Sequence, residues 1–141
     1  ITNAIDVFQR LHGFAIIELV LTGGRFDAAT HALVGHGAEL LLQDVRADKA
    51  FIAADGVSSA FGISATTAAA AEIQRLMIRA AREVIVLADH TVLDVEANYR
   101  IAGLDAVDTL ISDAGIRASQ SFKFSEQGIR TLVAGSIPAS S

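Results

Sequence analysis

The run Val84-Ile85-Val86-Leu87 is apolar at every position. A strand with one face in water alternates apolar and polar residues, so an unbroken run requires cover on both faces. Such cover comes from helices, and helical periods stand between the strand-like runs. Residues 4–11 bring Ile5, Phe8 and Leu11 to one side. Residues 33–45 place Ala38, Leu41, Leu42 and Val45 at helical spacing, and residues 66–82 carry the stripe Ile73, Leu76, Met77 and Ala80 with Arg75, Arg79 and Arg82 facing away. Thr66 or Thr67 is placed to cap this longest helix. A fourth helix is expected over 118–127. Strands are expected over 15–21, 50–54, 84–88, 109–112 and 129–134. Alternating strands and helices define an α/β fold, a mostly parallel open sheet flanked by helices.

Length and composition bound the function. One domain fits 141 residues, and an apolar content of 52% with 19% charged residues excludes a disordered chain. No apolar run reaches the roughly 18 residues of a membrane span, since Glu18, Asp44 and Arg82 interrupt the richest stretches. A net charge of −5 argues against nucleic-acid binding by this chain alone. The absence of cysteine removes disulfides, thiolate metal sites and a Cys nucleophile, and fits a cytoplasmic location. Residues 1–134 are expected to form the one domain and 135–141 a flexible tail. Ile1-Thr2-Asn3 reads as the end of a strand already under way, as in a piece of a longer protein.

Chemistry gathers at the carboxyl ends of the expected strands. These ends carry Asn3, Thr22-Gly23-Gly24, Asp55-Gly56, Asp89-His90 and Asp113. In an open parallel sheet such ends share one edge, and ligands bind in the crevice beyond it. Taken singly, Asp and Gly are ordinary turn residues; taken together they predict a site. The double glycine is a weak phosphate signal, because neither a Walker lysine nor a GxGxxG run accompanies it. Glu72 lies in the N-terminal half of the long helix, where the macrodipole alone favours an acid. The histidines have no metal-ligand spacing, and no Gly-x-Ser-x-Gly elbow supports a triad with His90. Asp55, Asp89 and Asp113 have the chemistry to hold Mg²⁺, but separate turn roles account for them equally well. No cofactor and no metal is expected.

The segment Ala47-Asp48-Lys49-Ala50-Phe51-Ile52-Ala53-Ala54-Asp55-Gly56-Val57 resembles the effector domain of DeoR-type sugar-responsive repressors. So do Ile1-Thr2-Asn3, Leu21-Thr22-Gly23-Gly24, Leu33-Val34-Gly35, the stretch from Glu72 to Ile78 with the strand ending in Asp89, and Val107-Asp108-Thr109-Leu110-Ile111-Ser112-Asp113, all in the family's order. The resemblance implies a fold similar to ribose-5-phosphate isomerase, glucosamine-6-phosphate deaminase and the CoA-transferases, truncated at its N-terminus. It implies a domain that binds a phosphorylated sugar, contacts operator DNA only through an N-terminal helix-turn-helix absent from this chain, forms homo-oligomers and has no membrane partner. By the same analogy Asn3, Gly23, Gly24, Asp55, Gly56 and Asp89 line the pocket, with Glu72 as a further member. Two departures stand out. Val92 occupies the place of the family's lysine, so that His90 substitutes, the effector is less anionic, or binding is weak. The family's Gly-Thr-Thr phosphate loop, which lies upstream of Asn3, is absent.

Two other functions compete with effector binding. A sugar-phosphate isomerase or deaminase would use Asp55 or Glu72 as general base, with Asp89 and His90 assisting. The missing cation at Val92 disfavours it. A purely structural oligomerisation domain would need only apolar surface along the last strand and helix.

Overall fold

The computed structural model describes residues 1–135. Most of the tail expected at 135–141 lies outside the described residues. The chain forms two compact units, Ile1–Val45 and Arg46–Ser141.

In the first unit, α1 (Ile5–Leu11) is followed by a hairpin of β1 (Arg25–Asp27) and β2 (Ala32–Val34), then by α2 (His36–Gln43). The hairpin loop is closed by Asp27, whose carboxylate accepts from Ala29 N at 3.2 Å and Thr30 Oγ1 at 2.8 Å. The strand expected over 15–21 does not form. Only Leu21 pairs, in an isolated parallel bridge with Thr2, and Ile16 is 96% exposed. A strand exists only where a neighbour satisfies its N–H and C=O groups, and Thr2 supplies one bridge. The helix expected from 33 begins later, because Gly35 at φ +83° interrupts the backbone and leaves Leu33 and Val34 in β2.

The second unit runs β3 (Ala47–Ala53), β4 (Gly56–Ser58), β5 (Gly62–Ala65), α3 (Ala68–Ala80), β6 (Ala81–Leu87), β7 (Tyr99–Ala102), β8 (Thr109–Ser112), α4 (Ala118–Glu126) and β9 (Arg130–Val133). Four of these strands form a sheet in the order β3-β6-β8-β9, and every pairing in it is parallel. Strand β6, which carries the apolar run Val84–Leu87, occupies a central position, with Val84, Ile85 and Val86 buried. Fully burying one such side chain stabilises by roughly 1.5–3 kcal/mol, so the run anchors the sheet.

Helix α3 opens on four consecutive alanines, the best helix formers, and Thr67 caps it by accepting from Ala70 N at 3.2 Å. Its buried side is Ala71, Ile73, Leu76 and Ala80. Gln74 Nε2 donates to Ala53 O at 2.8 Å, which fastens the helix to the exit of β3. A second sheet, β4-β5-β7, is antiparallel and was not expected from the sequence. Its tight β4–β5 connection ends at Gly62, held at φ +86°.

Candidate functional site

The register of the parallel sheet decides which residues meet. Ala53 pairs with Leu87, and Leu87 with Ile111, so β3, β6 and β8 end level with one another. The residues just beyond them are Asp55, Asp89 and Asp113. With Ala53, Ala54, Leu87, Ala88, Val92, Ile111, Ser112 and Ala134 these acids line an open cleft of about 460 Å³. That volume falls within the size range of small-molecule sites.

Asp89 and Asp113 are tied within their own turns, and Asp55 to the entry of α3. Asp55 Oδ2 accepts from Thr66 N at 2.8 Å and Thr66 Oγ1 at 2.9 Å. Asp89 Oδ1 accepts from Thr91 N at 2.7 Å and also from the Thr91 hydroxyl, capping the short 3₁₀ turn His90–Val92. These bonds from Thr91 hold the Asp89 carboxyl below the ordinary carboxylate range. Asp113 Oδ1 accepts from Gly115 N at 2.8 Å, and this bond, with a lesser contribution from His90, lowers its pKa as well. Both acids are therefore ionised at neutral pH.

His90 turns its Nδ1 to Asp113, 2.8 Å from Oδ1 and 3.1 Å from Oδ2. An ionised carboxylate only accepts, so Nδ1 carries the hydrogen. Asp89, His90 and Asp113 each place a ligand-type atom within 4.8 Å of the others. The contacts among them are those of a hydrogen-bonded turn cluster, in which the imidazole already has a carboxylate partner.

The site residues expected from the sequence divide between the two units. Asp55 and Asp89 line the cleft. Gly56 is buried at the start of β4, where a Cβ would lie 2.5 Å from Val95 O and 2.6 Å from Ser64 Oγ, so close packing explains its lack of a side chain. Glu72 pairs with Arg75 one turn along α3, at 3.0 Å, and Arg75 also reaches the carbonyl of Arg100 in β7. Glu72 is not among the residues lining the cleft.

In the first unit, the parallel bridge between Thr2 and Leu21 sets Asn3 and Thr22-Gly23-Gly24 at neighbouring chain exits. Asn3 Nδ2 donates to Leu33 O at 3.0 Å, which joins this segment to β2. Gly24, at φ +112°, packs so closely that a Cβ would lie 2.6 Å from Val34 O and 3.1 Å from Ala38 N. Val92, expected at the position of the family's lysine, and Ala134, expected only as the end of the last strand, complete the cleft wall. Val92 follows the end of β6 by five residues and Ala134 that of β9 by one, so both are placed once the strand register is known.

A parallel α/β sheet with a cleft at its carboxyl edge is the arrangement in which ligand-binding α/β domains place their sites. Comparison with known proteins narrows the class. Residues 1–114 match the model of the DeoR C terminal sensor domain, and the chain belongs to that family. It is 34% identical over 113 residues to the HTH-type transcriptional repressor GlcR of Bacillus subtilis (strain 168), covering 80% of this chain and 43% of that protein. It is 33% identical over 126 residues to the lactose phosphotransferase system repressor of Lactococcus lactis subsp. lactis, covering 89% and 49%. With a putative aga operon transcriptional repressor of Escherichia coli O157:H7 it shares 26% identity over 134 residues, 95% and 50% of the two chains. The chain thus spans about half the length of these curated relatives. The family is that of a sensor domain and these relatives are transcriptional repressors, not isomerases or deaminases, so the isomerase alternative is set aside. Among the described residues no helix is long and apolar enough to cross a membrane.

Proposed function

We propose that this domain binds a phosphorylated sugar or related metabolite and so controls operator binding by a helix-turn-helix in the whole cytoplasmic repressor, a homo-oligomer. The observation that carries this reading is the cleft at the carboxyl edge, where Asp55, Asp89 and Asp113 stand at three strand exits in a chain of the sensor family. Carboxylates accept strong hydrogen bonds from sugar hydroxyls, and the small apolar residues between them suit the C–H faces of a sugar ring. The names of the relatives, a lactose phosphotransferase system repressor among them, support a carbohydrate-derived effector. Regulation then requires that the effector bind one arrangement of the repressor more tightly than the other.

The test is a thermal-shift screen of pentose and hexose phosphates, followed by operator binding of the whole repressor with the compounds that stabilise. Stabilisation at 100 times Kd is about 2.7 kcal/mol, well within detection. A complete panel that leaves the melting temperature unchanged refutes the reading.

A further inference from the structure

Two segments bring their residues to the cleft side by side. The chain leaving β6 carries Ala88, Asp89 and Val92, and the end of β8 carries Ile111, Ser112 and Asp113. Two cross-links join these segments. One is the contact of His90 with Asp113. The other lies further along both: Asp94 Oδ2 accepts from Gln120 Nε2 at 2.7 Å and from Arg117 Nη2 at 3.0 Å, at the start of α4. Gln120 is 5% exposed, and its Oε1 accepts from Arg117 N at 3.0 Å, so both ends of this buried amide are engaged. The main chain of Asp94 is pinned as well. Its N–H donates to Val57 O at 2.7 Å, next to the bridge between Val57 and Leu93. Asp94 is not among the residues lining the cleft.

The backbone of Asp94 is left-handed, at φ +61°. Glycine adopts this region freely, whereas a residue with a Cβ is crowded there and persists only where its surroundings hold it. Here the holding groups are Gln120, Arg117 and the carbonyl of Val57. The 3₁₀ turn His90–Val92 therefore has two fixed ends. Asp89 caps its start through Thr91 N, and Asp94 anchors its exit. Between them lie Val92, in the cleft wall, and His90, against Asp113. Releasing the exit would free both. Resting on the effector-binding reading above, we infer that Asp94 is a positioning residue of the cleft: its clasp on Gln120 and Arg117 sets Val92 into the wall and His90 against Asp113, and so ties the shape of the cleft to α4.

Asp94→Gly keeps the left-handed backbone and removes the carboxylate. Asp94→Asn tolerates the same backbone and keeps an acceptor oxygen for Gln120. Both variants are compared with the unaltered protein by thermal melts, by nitrogen NMR of the His90 ring, and by calorimetric titration with glucose 6-phosphate, fructose 6-phosphate and ribose 5-phosphate. The Gly variant is expected to melt as a folded protein, to lose the hydrogen fixed on His90 Nδ1, and to bind whichever probe binds about tenfold more weakly. The Asn variant is expected to keep the His90 signal and to bind within about threefold of the unaltered protein. Arg117→Ala, a surface change that removes one donor of the clasp, gives a smaller loss in the same direction and serves if the Gly variant does not fold. A Gly variant whose melting temperature shifts while the His90 signal and the affinity stay unchanged overturns the inference, because the clasp then only supports α4. Equal losses in the Gly and Asn variants also overturn it, since an acceptor at this position then rescues nothing. If no probe binds the unaltered protein, it is the effector reading that fails. The His90 spectra still decide the positioning, which falls if the Gly variant keeps its hydrogen on Nδ1.

Discussion

The imidazole of His90 lies against Gly115, the residue whose N–H holds Asp113 in place. A Cβ at position 115 would penetrate the ring, 2.8 Å from Cε1 and closer still to Nδ1. Residue 115 must therefore lack a side chain for His90 and Asp113 to meet at 2.8 Å. Gly115→Ala is expected to swing the ring away from Asp113, at a cost of about 1 kcal/mol because a side chain yields more easily than backbone. Nitrogen NMR of the His90 ring checks this. A ring whose hydrogen stays on Nδ1 in the alanine variant would contradict the proposed contact.

Two other glycines separate steric need from conformational need. Gly62 sits at φ +86°, and a Cβ there would collide with the Ala102 carbonyl and lie 2.9 Å from Gly103 Cα. Gly128 has a similar φ of +78° with nothing within 4 Å. Gly62→Ala should destabilise by more than 3 kcal/mol and Gly128→Ala by about 1 kcal/mol, as read by urea unfolding. Equal effects at the two sites would show that backbone conformation alone matters.

Asp89 and Asp113 both titrate below their ordinary value of 3.8 when the chain is folded. A carboxyl lowered by folding adds stability above its unfolded pKa, and that stability is lost as pH falls through the folded pKa. Stability should therefore be flat near neutrality and drop as the solution is acidified below about pH 4. The Asp89→Asn variant should show a shallower acid limb in melts from pH 7 to pH 2. A difference between the two proteins that grows on acidification would have the wrong sign.

The adjacent threonines of the α3 entry have different partners. Thr67 caps the helix, whereas Thr66 holds Asp55. Thr67→Ala should cost about 1 kcal/mol of stability. Thr66→Ala removes a hydroxyl donor from an exposed carboxylate, so its effect should appear in sugar affinity rather than in the unfolding midpoint. Chemical denaturation and calorimetry on the pair distinguish the roles.

A buried contact gives the largest expected change. Ile73 is fully buried on the inner face of α3. Ile73→Ala should destabilise by about 2–5 kcal/mol, whereas Ala at the neighbouring exposed position of Arg79 should change stability by less than about 0.5 kcal/mol. Unfolding curves that place both within 0.5 kcal/mol would mean that this face does not carry the core.

The parallel sheet was legible because its signal is long and one-sided. Val84 to Leu87 is apolar throughout, and α3 repeats its buried positions over thirteen residues. Runs of three and four residues contain no readable period: β1, β2, β4, β5 and β7 escaped, while β8 and β9, no longer than β5 and β7, were expected from their place in the alternation with helices. The run at 15–21 misled for the opposite reason: its composition is strand-like, but pairing depends on neighbours that a local pattern does not report. At the site, Asp55 and Asp89 were found because strand exits in a parallel sheet share an edge. The packing roles of Gly24 and Gly56 were not readable, because what a missing side chain avoids is known only from coordinates.

The cleft acids are mounted unequally: Asp89 and Asp113 accept from Thr91 and Gly115 of their own turns and are joined through His90, whereas Asp55 is held apart by Thr66 at the entry of α3. The sheet beneath works like a rack with two hooks wired together and one mounted alone. The Asp89 and Asp113 turns must be rewritten together, whereas the Asp55 mounting can be exchanged without unseating the other two.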